Sequence, residues 1–390
     1  MAYRISDKAI IIEEDGESIL VAESVNYDSD ITIGSTDYTL APDYIDNYFS
    51  SSAIGQSHGF VAGGLEASND IVQRFSFASG SSESWTIDEE HKEYASGFSS
   101  GNEGFIAAGA AFEAAPDGTV APYVYQAFGT NTIRRFSFAS SNSSVDEVGT
   151  LSSSLSIPAA PYSPTLKVTM HSIPVQSSSH GYLSGGRDAG GPFANQAFNS
   201  ISKFSFSSVS TQADVGDQTV ARNQGAGSSS ANHGYTVGGT DSPPFVVKNT
   251  IDKFPFSSDA NATDVGDLTA SIGNNVGHQS TTNGYSSGGA TSPPFTPIDM
   301  IQKFPFSSDG NATDIANLTS TRTHNSASSS SSGGFNVGGI GPNPAGAPNH
   351  PLPTTRADST IQKFPFSSDA DATDVGNLVT SAFGSTGHQV

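Results

Sequence analysis

The sequence predicts an all-β fold, a six-bladed β-propeller with a small N-terminal β-hairpin module. The prediction rests on a unit that recurs six times and on a composition that favours strands and turns. The 390 residues include 41 glycines, and only 14% of the residues are charged. Short strands joined by many turns have such a composition.

The repeat unit is marked by an isoleucine that is followed by a Phe-x-Phe pair. The six isoleucines are Ile71, Ile133, Ile201, Ile251, Ile301 and Ile361. Ile251 and Ile301 are 50 residues apart, a period that suits the four strands of one propeller blade. Helical repeats are excluded because apolar residues do not recur at the spacing of a helix face.

Side-chain size predicts the place of two strands in each blade. A glycine pair such as Gly238-Gly239 ends one segment, and we expect that segment to be the innermost strand because glycine permits close backbone approach. The phenylalanines of the next strand, such as Phe254 and Phe256, share one face and are expected to pack between blades. Pro255 lies in this strand and lacks an N–H, which predicts a bulge or a bonding position turned away from the neighbouring strand.

The two ends of the repeat region are predicted to complete one blade together. Gly387-His388-Gln389 at the end of the chain matches Gly277-His278-Gln279, which precedes a Gly-Tyr strand. The corresponding next strand stands near the start of the repeat region, at residues 58–64. Pairing of these segments closes the ring and removes an exposed edge.

The domain organisation is predicted as an acidic attachment module at residues 1–48 and a propeller at residues 49–390. In the module, Asp15-Gly16 separates two apolar runs, at residues 8–14 and 17–23, which is a strong hairpin signal. Residues 31–40 are expected to add another strand.

Charge and composition bound the partners. The 38 acidic residues against 16 basic ones give a formal charge of −22, which repels phosphate backbones and anionic membrane surfaces. Nucleic acid is therefore not an expected partner. No apolar stretch approaches the length of a membrane span, so we expect no membrane insertion, and the polar start predicts no export signal. The chain has no cysteine, which excludes disulfides and thiolate chemistry.

The units GY-x-x-GG and I-x-KF-x-F-SSD-x-x-ATDVG-x-L resemble the kelch-like propeller repeats of structural proteins in marine bacteriophages, particularly cyanophages. The resemblance covers roughly residues 50–390 and is best in the last four units. It implies a virion component, such as a tail fibre, a tail-tip protein or a capsid decoration. The chain departs from ordinary kelch repeats because no Trp recurs after the glycines, Trp85 being its single Trp.

The turn after the phenylalanine pair holds the candidate metal ligands. Asp259, Asn261 and Asp264 offer oxygen atoms at a spacing that suits Ca²⁺. The same residue types cap tight turns through backbone hydrogen bonds. We favour the capping role because no bidentate acidic residue follows at a calcium-loop distance, and we expect no cofactor and no catalytic residue.

His58, His180 and His233 each precede a Gly-Tyr or Gly-Phe pair. They either form a ring of imidazoles around an axial channel or occupy hydrogen-bonded structural positions, and the second role is favoured.

Three insertions are the expected places for partner binding, since a propeller holds variable loops on a rigid frame. One, at residues 110–131, contains Tyr123, Tyr125 and Phe128; the others are residues 151–179 and residues 341–359, which include His350. Their aromatic side chains either meet a sugar or another protein, or cover the edges of the propeller itself.

The expected function is a non-enzymatic virion protein that displays its propeller for recognition of a host-surface glycan or receptor, or that decorates the capsid. The N-terminal module is expected to attach it to other virion proteins, and self-association is left open. It would be made in the host cytoplasm and exposed on the particle after release. The alternatives are a carbohydrate-active propeller enzyme that uses Asp/Glu pairs and a cellular adhesin or scaffold. The enzyme is disfavoured because catalytic carboxylates would break the repeat symmetry, whereas these acids recur in equivalent turns.

Overall fold

The computed structural model describes the backbone of the following residues: 2–6, 9–14, 17–22, 31–33, 36–38, 57–63, 71–87, 94–112, 127–129, 132–141, 144–151, 169–188, 196–209, 213–241, 245–291, 296–341 and 357–389. All regular elements in these ranges are β-strands, and no helix there has the length and hydropathy to cross a membrane. The chain divides into two compact units, Met1–Ser51 and Ser52–Val390.

The described residues of the first unit form five strands, which are β1 (Ala2–Ser6), β2 (Ala9–Glu14), β3 (Glu17–Ala22), β4 (Ile31–Ile33) and β5 (Thr36–Tyr38). The predicted hairpin is formed by β2 and β3, which pair antiparallel on either side of Asp15 and Gly16. β1 adds a third strand to this sheet, which the sequence analysis did not predict. The segment predicted as one further strand contains two short paired strands, β4 and β5.

The second unit consists of six four-stranded antiparallel sheets, so the predicted six-bladed β-propeller is confirmed. Blade 1 contains β6 (His58–Ala62), β7 (Ile71–Ser76) and β8 (Ser82–Ile87), and its fourth strand comes from the end of the chain. Blade 2 contains β9 (Ser96–Ser99), β10 (Glu103–Ala107), β13 (Thr132–Ser137) and β14 (Asp146–Thr150). Blade 3 contains β16 (Ile173–Gln176), β17 (His180–Ser184), β19 (Ser200–Ser205) and β20 (Ala213–Asp217).

The last three blades follow the same plan. Blade 4 contains β21 (Ala226–Ser229), β22 (His233–Val237), β25 (Thr250–Pro255) and β26 (Thr263–Asp267). Blade 5 contains β27 (Val276–Gln279), β28 (Asn283–Ser287), β29 (Met300–Pro305) and β30 (Thr313–Asn317). Blade 6 contains β31 (Ser326–Ser329), β32 (Gly333–Val337), β33 (Thr360–Pro365) and β34 (Thr373–Asn377), and β35 (Thr386–Gln389) completes blade 1.

In the described residues, three short two-stranded antiparallel sheets supplement the blades. β11 (Ala110–Phe112) pairs with β12 (Ala127–Gly129), β15 (Thr169–Met170) with β18 (Arg187–Asp188), and β23 (Thr240–Asp241) with β24 (Val246–Val247).

The closure between the two ends of the repeat region is confirmed. Gln389 pairs with Gly59 and His388 with Phe60, and the register continues to the pair of Thr386 and Ala62. β35 thus occupies the place in blade 1 that β21 occupies in blade 4. Each blade therefore has the same four strands, and the ring ends in no unpaired inner edge.

The predicted order of strands within a blade is wrong. The strand that ends in the glycine pair is the second from the axis, and the innermost strands are β9, β16, β21, β27, β31 and β35, which contact one another around a central cavity. Close backbone approach occurs on these inner strands, where a Cβ added to Gly277 would lie 1.9 Å from the carbonyl oxygen of Gly227 in the preceding blade. A small residue near the axis is thus required, but on a different strand from the predicted one.

The glycine pair has a conformational role instead. Gly238 and Gly239 have φ values of 63° and 101°, a left-handed region that residues with a Cβ rarely adopt. In blade 2 the first position of the pair is Ala108, which adopts the same conformation with a φ of 59°. The backbone of Ala108 is therefore strained, because a left-handed conformation brings the Cβ close to the neighbouring backbone.

Replacing Ala108 with glycine is expected to stabilise the protein by about 1 kcal/mol, because the strain of a left-handed alanine is removed. Urea unfolding measures this change. Ala107→Gly is the matched control. Ala107, the residue before Ala108, lies in β10 with ordinary strand geometry, so glycine there should destabilise the protein. A neutral or destabilising Ala108→Gly substitution would contradict the conformational role of this position.

The phenylalanine pairs pack between blades, as predicted. Tyr235 of blade 4 contacts both aromatic rings of the blade 5 pair, with ring centroids 5.6 Å from Phe304 and 4.9 Å from Phe306. The same contact recurs at the other junctions, with Tyr or Phe on the second strand of one blade and the pair on the third strand of the next. These buried aromatic contacts form the apolar core of the ring.

Pro255 is the last residue of β25, and the register shift of this strand lies elsewhere, between Ile251 and Asp252. The N–H of Phe256 donates to the carbonyl of Asn232, which lies on the side of β22. Successive backbone N–H groups of a strand point to opposite neighbours, so the nitrogen of Pro255 points to the other side, toward β26. Pairing with that strand already ends at Lys253 and Thr263. Of the two predicted possibilities, proline therefore occupies a position where no ladder bond is lost.

Candidate functional site at the central channel

At one end of the central channel, glutamine and serine alternate from blade to blade. The six residues are Gln389, Ser99, Gln176, Ser229, Gln279 and Ser329, at the last position of each inner strand. The backbone N–H of each one donates to the side-chain oxygen of its neighbour, at distances from 2.5 to 3.2 Å. These six hydrogen bonds form a closed circle around the channel. The repeated polar residues at this end are thus used to join the blades.

One residue earlier on the inner strands, two buried histidines connect neighbouring blades, blade 5 to blade 6 and blade 1 to blade 2. His278 donates from Nδ1 to the carbonyl of Ser328 at 3.2 Å, and its Nε2 accepts from the hydroxyl of Ser287 at 2.8 Å. His388 makes the corresponding bonds to the carbonyl of Phe98 and the hydroxyl of Thr386. Since a carbonyl can only accept, each ring carries a proton on Nδ1. Burial lowers the pKa of both histidines to about 4, so at pH 7 each ring is neutral and its Nε2 is the acceptor.

The opposite end of the channel is bounded by six residues with left-handed backbone conformation. They are Tyr94, His171, Gln224, Asn274, His324 and Gly384, with φ values between 52° and 63°. Backbone hydrogen bonds connect neighbours around this ring, for example from the N–H of Gln224 to the carbonyl of His171 at 3.0 Å. Five of the six carry side chains, although such φ values are costly for residues other than glycine.

The ring of Tyr94 extends across this mouth of the channel. It stacks on His171, with centroids 4.2 Å apart, and meets the edge of His324 at 6.0 Å. His171 belongs to blade 3 and His324 to blade 6, so the phenol ring connects opposite sides of the propeller. Arg187 stands behind His171 and donates from Nη2 to its Nε2 at 3.0 Å.

Both imidazoles at this mouth are neutral at pH 7. Burial, followed by the positive charge of Arg187, holds the pKa of His171 well below its usual value and lowers the pKa of His324 to about 4. The Nε2 of His171 accepts a hydrogen bond from an arginine, which can only donate, and this also requires the neutral ring.

A cavity of about 190 Å³ lies along the axis between the two ends. Its lining includes the five left-handed side chains and, next to them, Ser172, Asn275, Asn325 and Ser385. No Asp, Glu, Lys or Arg lies among the lining residues that the structure describes. The cavity is therefore polar without being charged, and it is the strongest candidate site in the described part of the propeller.

The predicted metal ligands join neighbouring blades. Asp259 forms an ion pair with Lys203 of the preceding blade, with Oδ1 and Nζ 2.6 Å apart. Asn261 Oδ1 accepts a hydrogen bond from the backbone N–H of Asp217, also in that blade, at 3.0 Å. Asp264 accepts the N–H of Gly266 in its own turn. The favoured capping role describes Asp264, but the contacts of the other two across the blade junction were not predicted. Among the described residues, no three His, Cys, Asp or Glu side chains cluster as metal ligands do.

The predicted histidines lie away from the channel. His58, His180 and His233 begin the second strands of their blades and do not line the cavity; His58 and His180 each contact the preceding serine hydroxyl at 2.8 Å. Phe128 lies on β12. The aromatic residues Tyr123 and Tyr125, and His350 of the last insertion, fall outside the described residues.

The channel mouth was missed because its residues do not repeat. Alignment of the six units at the inner strand would have shown that the residue two places before the strand changes in every blade except for the two histidines. Neither a protein-family model nor a curated protein matches this sequence.

Proposed function

We propose that this chain is a non-enzymatic structural protein of a bacteriophage particle, which displays its propeller for recognition of a host surface or decorates the capsid. The repeat sequence supports the phage assignment through its resemblance to propeller repeats of marine phage structural proteins. The first unit, Met1–Ser51, is proposed to attach the protein to other virion components.

The observation that supports a structural role is that the repeated polar residues bond across the junctions between blades. Lysine and aspartate pair across three successive blade junctions, as Lys203–Asp259, Lys253–Asp309 and Lys303–Asp369 at 2.5 to 2.6 Å. The asparagine or aspartate two places later, in Asn261, Asn311 and Asp371, caps the preceding blade. Acids that could act in pairs as catalysts are thus engaged in building the ring, which favours display over glycoside hydrolysis.

Electron microscopy of purified particles tests the proposal most directly. Antibodies against the propeller, with gold labels, are expected to bind at ordered positions on particles from the phage that encodes the chain. Mass spectrometry of the same particles should recover peptides of both units. Labelling that stays with the host-cell fraction, while the particles carry no copies, would reject the virion role and leave a cellular adhesin or scaffold.

A further inference from the structure

We propose that the channel mouth binds a neutral polyhydroxy compound, of the class of a single pyranose sugar, against Tyr94 and the amide side chains beside it. The inference extends the proposed function by naming a ligand class and a site. It rests on that function for its biological role only, because binding is a property of the isolated protein.

The first argument is size and surface. The cavity measures about 190 Å³, whereas a cavity of about 150 Å³ is large enough for a six-membered ring such as benzene. An aromatic wall with a few polar groups is the usual surface of a small-molecule site. Here Tyr94 supplies the aromatic wall, and Gln224, Asn274 and His324 supply polar groups around it.

The second argument is the set of polar side chains on the lining. Gln224, Asn274 and His324 belong to the left-handed ring and line the cavity. An amide side chain carries both donors and an acceptor, and a hydroxyl group both donates and accepts. Amide groups at the mouth therefore suit a ligand with several hydroxyl groups.

The third argument is charge. The described lining residues include no ionised side chain, and the hydrogen bond from Arg187 to His171 directs that arginine's Nη2 at an imidazole. The formal charge of −22 repels small anions at a distance. A cation would find no carboxylate among these residues. A neutral ligand with several hydroxyl groups is the class that fits.

The fourth argument is the departure from repeat symmetry. The far end of the channel alternates glutamine and serine without exception, and those residues bond to one another. At the mouth, Tyr94, His171, Gln224 and Asn274 differ from blade to blade, and all keep a left-handed conformation that glycine adopts more easily. Strained, non-repeating side chains on a rigid ring are typical of a binding site.

The test uses the full chain and two variants that borrow residues from other blades. Gln224→Gly introduces the residue that blade 1 carries at the equivalent position, Gly384, and Tyr94→Asn introduces the residue of blade 5, Asn274. His233→Asn is the matched control, because Asn283 holds that position in blade 5 and His233 does not line the cavity. Melting curves establish that each variant is folded.

The probes are D-galactose, D-mannose and N-acetylglucosamine, with glucuronate and acetate as anionic comparators, measured by saturation-transfer NMR and calorimetric titration. At least one neutral sugar is expected to bind with a dissociation constant on the order of 1 mM, and each mouth variant should weaken it by about tenfold or more. The control should bind as the parent does.

Three results would overturn the inference: binding of the anions alone, no binding of any neutral sugar, or sugar binding that persists unchanged in both folded mouth variants. These outcomes are separate from the particle experiment. Sugar binding without copies on particles would reject the virion role alone, and copies on particles without sugar binding would reject the site alone.

Discussion

Replacing Arg222 with isoleucine is expected to lower the free energy of unfolding by about 3–5 kcal/mol, because the substitution leaves a buried carboxylate without its counter-charge. Arg222 and Asp252 are both fully buried, with Nη2 and Oδ2 2.8 Å apart. Asp252 also accepts the N–H and the hydroxyl of Thr219 in the preceding blade. The pair thus links blades 3 and 4.

The chain offers its own control at the next junction. There Ile272 replaces the arginine, and Gln302 replaces the aspartate and accepts both hydrogen bonds of Thr269 at 2.7 Å. Arg222→Ile combined with Asp252→Gln is therefore expected to recover most of the lost stability, although Arg222 also bonds to Gln218 and Thr236. Denaturant unfolding of the four proteins in this cycle gives the coupling energy. A loss below about 1 kcal/mol for Arg222→Ile, or a double variant no better than the single one, would contradict the assignment.

Acid is expected to destabilise the ring through His278 and His388. Their pKa of about 4 in the folded protein lies below the ordinary 6.5 of histidine, because both rings are buried and neutral. The unfolded chain therefore binds more protons between these pH values. Stability is fully present above pH 6.5 and falls as the pH drops toward 4, by about 3 kcal/mol for each histidine.

Serine substitutions separate this effect from general acid unfolding. Ser228 and Ser328 occupy the same place in blades 4 and 6, so His278→Ser and His388→Ser carry a residue that the fold already uses there. Both variants should be less stable at pH 7, since each loses an aromatic contact and hydrogen bonds. Their free energy of unfolding should nevertheless fall less steeply between pH 6.5 and 4. An unchanged slope in the double variant would show that other groups cause the acid sensitivity.

The blade count, the closure and the aromatic packing were predictable because each depends on a sequence motif that recurs from blade to blade. Six Phe-x-Phe pairs identify six blades, and the match between His388-Gln389 and His278-Gln279 identifies the strand that the end of the chain supplies. The order of strands within a blade was not predictable in the same way. The inner strand and the second strand both contain glycine, and side-chain alternation does not tell which strand faces the axis.

The backbone conformation of the channel mouth was not predictable for a different reason. The left-handed conformation of Tyr94 and Gln224 follows from the backbone ring that connects the blades, and neither residue type signals it. Asp259 and Asn261 were candidate calcium ligands because the spacing of their side chains suits such a site. Their partners, Lys203 and Asp217, belong to the preceding blade, a contact that only the assembled ring brings about.

The central claim is a propeller closed between its first and last strands, and a cysteine pair tests it most directly. The chain has no cysteine of its own. Ala62 and Thr386 are opposite each other in β6 and β35, where antiparallel partners with Cα atoms about 5.5 Å apart can form a disulfide. Ala226→Cys with Val237→Cys, the equivalent pair within blade 4, is the positive control.

Under mild oxidation, Ala62→Cys with Thr386→Cys is expected to lose both free thiols and to remain a monomer with an internal crosslink, as the positive control does. A pair taken from blades 1 and 4, Ala62→Cys with Ala226→Cys, should keep its thiols. Free thiols in the closure pair, or disulfides that form only between chains, would contradict the closed ring.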